Sequence, residues 1–211
     1  MSKSARIKNT RPQGGKNLKN AKKKNALTQR EIPWGGIAFF TVIGLIAVVA
    51  IGYTFMQTRS SSAETSIAGL VVEKDLGRDH TTGTVKYETD PPMGGDHNPV
   101  WQNCDGRVYD APLRNENAVH SLEHGAVWIT YRPGLAADQL DALKNKVTGT
   151  DYTMLSPYPS QDAAIKLTAW GHQLTPDSAS DARVDEFLRG FVKGPQTPEP
   201  GAACSGAKDT P

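Results

Sequence analysis

Four of the five histidines fall in one stretch of the chain: His80 in GRDHTTG, His97 in PMGGDHNP, and His120 and His124 in HSLEHG. If 117–124 is helical, His120 and His124 lie one turn apart on one face, the spacing that lets two imidazoles converge on one ion. His97, in a glycine-rich loop, offers a third nitrogen, and His80, Glu123, Asp96 or Met93 a further ligand. Imidazoles with a carboxylate suit zinc or copper(II), whereas a thioether moves preference toward copper(I). The same residues have a structural use. Imidazoles donating to backbone carbonyls would brace an irregular loop, and a histidine at a helix C-terminus is favoured by the dipole, so His124 beside Gly125 also fits a capping role. His172 in WGHQL reads as a surface or structural residue.

HSLEH also matches the H-x-x-E-H pattern of inverted zincins, in which two histidines hold zinc and the glutamate activates a water. The pattern is short, and a peptidase further needs a long active-site helix, whereas Gly125 and the β-rich AVWITY follow at once. A zinc hydrolase is the remote alternative, and the balance is against an enzyme. No Ser-His-Asp order or P-loop is present, and Gly94-Gly95 lacks the lysine and the strand-loop-helix setting of a phosphate cradle.

The side chains that position these groups belong to a chain of two charge regimes. The 211 residues carry a net charge of +2, yet residues 1–31 hold ten Lys and Arg against Glu31 alone, a local charge of +9. The remaining 180 residues hold 14 basic and 21 acidic groups, or −7. Between the two regimes Ile37–Met56 is apolar for 20 residues, enough for a helix to cross a bilayer core of about 30 Å. The basic segment and apolar run are both too long for a cleaved signal peptide, which predicts one uncleaved signal anchor, with Trp34 and Tyr53 at the interfaces. The positive-inside rule places the N-terminus in the cytoplasm and the C-terminal domain outside, in a single-pass protein of the cell membrane. The basic arm, 1–33, has no periodic apolar pattern and is expected to be disordered and to attract anionic lipid. Lacking an aromatic residue before Trp34, it does not read as a nucleic-acid binder.

Cys104 in WQNCDG and Cys204 in GAACSG both fall on the outer side, where disulfides persist, and are predicted to pair. Closing that loop contributes about 4.7 kcal/mol in the chain-entropy model and pins a tail with no apolar pattern of its own. Free thiols and thiol ligands are the competing readings. A lipoprotein cysteine would follow the apolar segment directly, and without C-x-x-C there is little case for a thioredoxin-like redox centre.

Apolar and turn patterning then divides the chain into a transmembrane helix over 34–56, a polar tether over 57–66, a domain over 67–193 and a Pro/Gly-rich tail over 194–211. The domain reads as strands at 70–73 and 84–88, a long Pro/Gly loop at 90–115 and a short helix to His124 capped by Asn115 or Asn117. Further strands are expected at 126–131, 152–155 and 163–170, with helices at 135–147 and 181–192. Strands interleaved with helices predict an α+β fold, a small sheet with two or three helices packed on one side.

At PPMGGDHNPVWQNCDGRVYD, ENAVHSLEHGAVWITYRP and GPQTPEPGAAC the chain resembles the actinobacterial family called domain of unknown function 3105, over roughly residues 67–205. The resemblance implies a basic N-terminus, one span and an extracytoplasmic domain. It marks His80, Gly95, His97, Asn98, Trp101, Cys104, Tyr109, His120, His124, Gly125 and Cys204. Of these, Asn98, Trp101, Tyr109 and Gly125, with Gly94 and Gly95, are expected to shape the loop. Met93 falls where other members often carry another residue, and Asp105-Gly106-Arg107 looks like a small departure. The resemblance implies no activity. The leading expectation is a membrane-anchored domain that binds copper or zinc through His97, His120 and His124 with His80, and with Glu123 or Met93 as further candidates. The alternative is a non-catalytic accessory or assembly subunit of a cell-envelope or respiratory membrane complex.

Overall fold

A computed structural model describes residues 34–211, with backbone alone for 56–66; the basic arm, 1–33, lies outside the described residues. Helix α1, Trp34–Ser66, contains a stretch, Trp34–Phe55, long and apolar enough to cross a membrane. The hydroxyls of Thr41 and Thr54 return to the carbonyls four residues back, Ile37 and Ala50, which satisfies them without water. The helix does not stop at Met56. It runs to Ser66 through the polar residues expected to form an irregular tether, because nothing in QTRSSSAETS, neither Pro nor Gly, interrupts it.

The α+β expectation holds. Six strands, β1 (Val71–Val72), β2 (Asp105–Val108), β3 (Val127–Tyr131), β4 (Thr153–Pro157), β5 (Ile165–Ala169) and β6 (His172–Leu174), form one mixed sheet in the order β1-β6-β5-β3-β4-β2. β3 and β2 flank β4 in parallel; β5, β6 and β1 continue antiparallel from β3. Three further helices complete the domain: α2 (Asn115–Glu123), α3 (Ala137–Val147) and α4 (Ala182–Phe191).

Alternation along the strands separates two apolar layers. Val127, Ile129, Leu155, Leu167 and Leu174 point to one face, where Leu143 and Val147 of α3 and Val184, Phe187 and Phe191 of α4 cover them. Trp128 and Met154 point to the other and meet Ala118, Val119 and Leu122 of α2 together with Cys104 and Cys204. So two helices share one side, and the helix carrying the histidines lies on the opposite side under the loop and the tail.

Several local expectations were corrected. Residues 84–88 form no strand, since Val85 N–H donates to the Glu116 carboxylate (2.9 Å) rather than to a ladder. β2 arises inside the loop, from DGRV, whose pairing with β4 is interrupted by a bulge between Asp105 and Arg107; a bulged edge strand carries no alternation to read. The strand expected over 163–170 is β5, and β6 is an additional strand that follows it after the turn at Trp170-Gly171. Of the two roles expected for His172, surface or structural, it takes the structural one: it is buried in β6, with Nδ1 on the Trp170 carbonyl (2.7 Å) and its ring 4.6 Å from that of Phe191.

Candidate metal centre

α2 is the element on which the centre is built, and it is buried along nearly its whole length. Its N-cap position is Arg114, in extended backbone, and neither Asn115 nor Asn117 caps it. Asn115 donates to the Tyr158 hydroxyl, and Asn117 to the Val100 carbonyl. The Pro/Gly loop is strapped across the helix by main-chain bonds, Asn98 N–H to Glu116 O and Gln102 N–H to Asn117 O (both 3.1 Å), and Ser121 Oγ donates to Gln102 O (2.6 Å). A second pair, Thr81 N–H to His97 O (2.7 Å) and His97 N–H to Asp79 O (3.0 Å), sets His80 beside His97. Backbone groups of the loop are thus satisfied by protein, which is what allows an irregular segment to be buried.

The rings converge. His80, His97 and His120 stand with centroids 4.9–5.0 Å apart, and those of His120 and His124 are 4.5 Å apart. One donor atom each from His80, His97, His120 and Glu123 lies within 4.8 Å of the other three; His120, His124 and Glu199 form a second such group. His124 is therefore set with Glu199 and His120, and Glu123 with His97. Trp101 packs its ring on His120 and His124 (5.8 and 5.0 Å), and Trp170 stands edge-on to His97 (5.9 Å).

The tautomers follow from the partners. His97, His120 and His124 each place Nδ1 on a backbone carbonyl, of Gly95 (2.7 Å), Asn98 (2.6 Å) and Ala203 (2.6 Å) respectively. A carbonyl only accepts, so Nδ1 carries the proton and in the neutral ring Nε2 is a bare lone pair. Bracing and ligation use the two nitrogens of the same ring, and metal-bound histidines ordinarily hold their other N–H on a carbonyl in this way. His97 Nε2 is fully buried and makes no hydrogen bond, although Glu123 Oε2 is only 2.9 Å away, because with the proton on Nδ1 both facing atoms are acceptors. A buried lone pair facing a carboxylate is unfavourable until a cation joins them.

Burial also sets the charge state. It holds His120 down at about 4, reinforced by the neighbouring imidazoles and opposed by the Asn98 carbonyl, and it lowers His124 as well. Both rings are neutral at pH 7, the state that binds metal. In metal-free protein the unfolded chain takes up protons below its ordinary histidine pKa near 6.5, while folded His120 does not until about 4. Stability therefore falls as pH descends through that window, by about 2 kcal/mol for a partly screened group. Urea midpoints at pH 7, 5.5 and 4.5 with chelator present measure it, and a His120→Gln profile as steep as wild type would contradict it.

The other sequence-predicted residues mostly shape the walls. Gly95 supplies the carbonyl for His97, and Asn98 that for His120, while Asn98 Oδ1 closes a turn with Val100 N–H (2.9 Å). A Cβ at Gly94 would lie 2.6 Å from Leu76 and 3.2 Å from the Trp170 ring, so glycine is what lets that wall close. Met93 is buried and its carbonyl accepts from Gly171 N–H (2.7 Å); Asp96 braces Asp79 N–H (3.1 Å). Tyr109 donates to Asn103 O (2.7 Å) next to Cys104. Gly125 ends α2 in the left-handed region (φ 99°), as its sequence position foretold, with a Cβ site only 2.8 Å from Thr197 Oγ1. Gly125→Ala is expected to lower stability by about 2 kcal/mol, from strained φ and this contact, measured as a shift in denaturant midpoint.

Sequence reasoning missed Glu199. Its signal was indirect: Cys104 lies two residues past Gln102, which is tied to α2, so a partner cysteine at 204 must bring its neighbours there. The disulfide is present, with Cα atoms 4.8 Å apart. Around it Cys104 N–H donates to Cys204 O (2.7 Å), Glu199 N–H to Glu123 O (3.1 Å) and the Tyr152 hydroxyl to Ala202 O (2.6 Å).

Neither curated proteins nor solved structures include a match to this chain. Residues 79–206, more than half of the chain and the part that holds every ligand candidate, match the model of a protein family of unknown function, DUF3105, and the protein belongs to that family.

Proposed function

We propose that the protein is a membrane-anchored transition-metal-binding protein whose outer domain holds zinc or copper(II) through His97, His120, His80 and Glu123. The observation that carries this reading is the fully buried, unbonded Nε2 of His97 facing Glu123 at 2.9 Å, with two more imidazoles within reach. Three imidazoles and a carboxylate are the donor set that zinc and copper(II) prefer. The apolar helix anchors the domain, and the basic arm preceding it orients the N-terminus to the cytoplasm and meets anionic lipid there. A disulfide that closes 100 residues belongs to an oxidising compartment, which agrees with an outward-facing domain. The role on this reading is sensing, delivery or scaffolding.

The test is metal analysis of the full chain, purified in detergent, stripped with chelator and titrated separately with zinc and copper(II). Stoichiometric uptake is expected, with affinity lost in His97→Ala. Uptake of neither metal overturns the reading.

A further inference from the structure

The two donor groups share His120, and that sharing sets a limit on how they are used. His120 Nδ1 is committed to the Asn98 carbonyl, so only Nε2 is open, and one imidazole nitrogen binds one ion. Assigning His120 to either group divides the donors. With His120 in the second group, each group keeps two histidines and one glutamate: His80, His97 and Glu123 on one side, His120, His124 and Glu199 on the other. Two imidazoles and a carboxylate are a complete protein ligand set for a metal with an open position.

We infer that the centre is dinuclear: a second ion binds His120, His124 and Glu199, beside the ion of the first group. This rests on the metal-binding reading above and deepens it. The second set has its own support. His124 Nδ1 is held by the Ala203 carbonyl, which leaves Nε2 bare; Glu199 Oε2 stands 3.6 Å from it, too far for a hydrogen bond and open to an ion between them. The nearby indole of Trp101 has a buried N–H with no acceptor, a donor available to a water or small anion on an open coordination position.

The C-terminal tail builds this second set. Glu199 and the Ala203 carbonyl both come from residues that the Cys104–Cys204 bond and the Glu199 N–H to Glu123 O bond lay against α2. Closing the disulfide therefore assembles the second site, while the ligands of the first come from residues 80–123.

Full-length protein in detergent, titrated with zinc alone and followed by calorimetry and by metal content after desalting, is expected to bind two ions per chain. Glu199→Gln, at a half-exposed carboxylate whose backbone bond survives, is expected to bind one. His124→Ala gives the same count, and Cys104→Ser with Cys204→Ser also drops from two to one; near-UV circular dichroism checks that each variant stays folded. In the copper(II) form two neighbouring ions couple magnetically, so the paramagnetic resonance signal at two equivalents is weaker than twice that at one. Saturation of the wild type at one ion overturns the inference while leaving the first site standing, as does a count of two in Glu199→Gln. A count of zero overturns the metal reading itself.

Discussion

Replacing Cys104 and Cys204 by serine is expected to lower the unfolding free energy by about 4.7 kcal/mol, the chain-entropy value for a closed loop of this length. The bond joins residues 100 apart, and both cysteines are buried in the layer that α2 shares with Trp128 and Met154. Without it the last residues have little to hold them. They contain no regular element, and their attachments are single hydrogen bonds such as Asn103 N–H to Lys208 O (2.7 Å) and Tyr152 hydroxyl to Ala202 O (2.6 Å), each contributing about 1 kcal/mol. Chemical denaturation of the wild type and the double variant measures the difference. A loss below about 1 kcal/mol would mean that hydrogen bonds alone dock the tail and that the unfolded chain gains little freedom when the bond is absent.

His120→Ala is expected to have the largest effect on metal. His120 is within reach of both donor groups but has one open nitrogen, so its removal takes a ligand from the ion that it holds, beside His124 and Glu199, and leaves His80, His97 and Glu123 in place. Structural zinc sites bind with about 10–16 kcal/mol shared among four ligands, so one ligand carries about 3 kcal/mol, or some 100-fold in affinity. Competition with a chromophoric chelator reads this directly. His172→Ala is the control: it removes a buried imidazole of the opposite layer, beside Phe191, and should leave affinity unchanged. Equal losses in the two variants would mean that His120 matters only through folding.

The legible parts of this protein were those written in local periodicity. Val127–Tyr131 and the helices over Ala137–Val147 and Ala182–Phe191 were read closely because a buried β-branched run and an apolar helical stripe are local patterns. The same held for the stop at Gly125, where a left-handed residue is required. Illegible were β2 and β6, too short and irregular to show a period, and the disposition of helices over the two faces, which depends on long-range packing.

The site divides along the same line. Sequence spacing alone determined that His120 and His124 share a helix face, that His97 and His80 sit in loops able to approach it, and that one cysteine lies in the long loop and the other in the tail. Only the tertiary structure decided which nitrogen of each ring is free, because that depends on which carbonyl, of Gly95, Asn98 or Ala203, captures Nδ1. It alone paired Glu123 with His97 and brought Glu199 to His124. Those pairings span 26 and 75 residues, and contacts of that range are set by how loop, helix and tail pack together, about which helical and strand periods are silent.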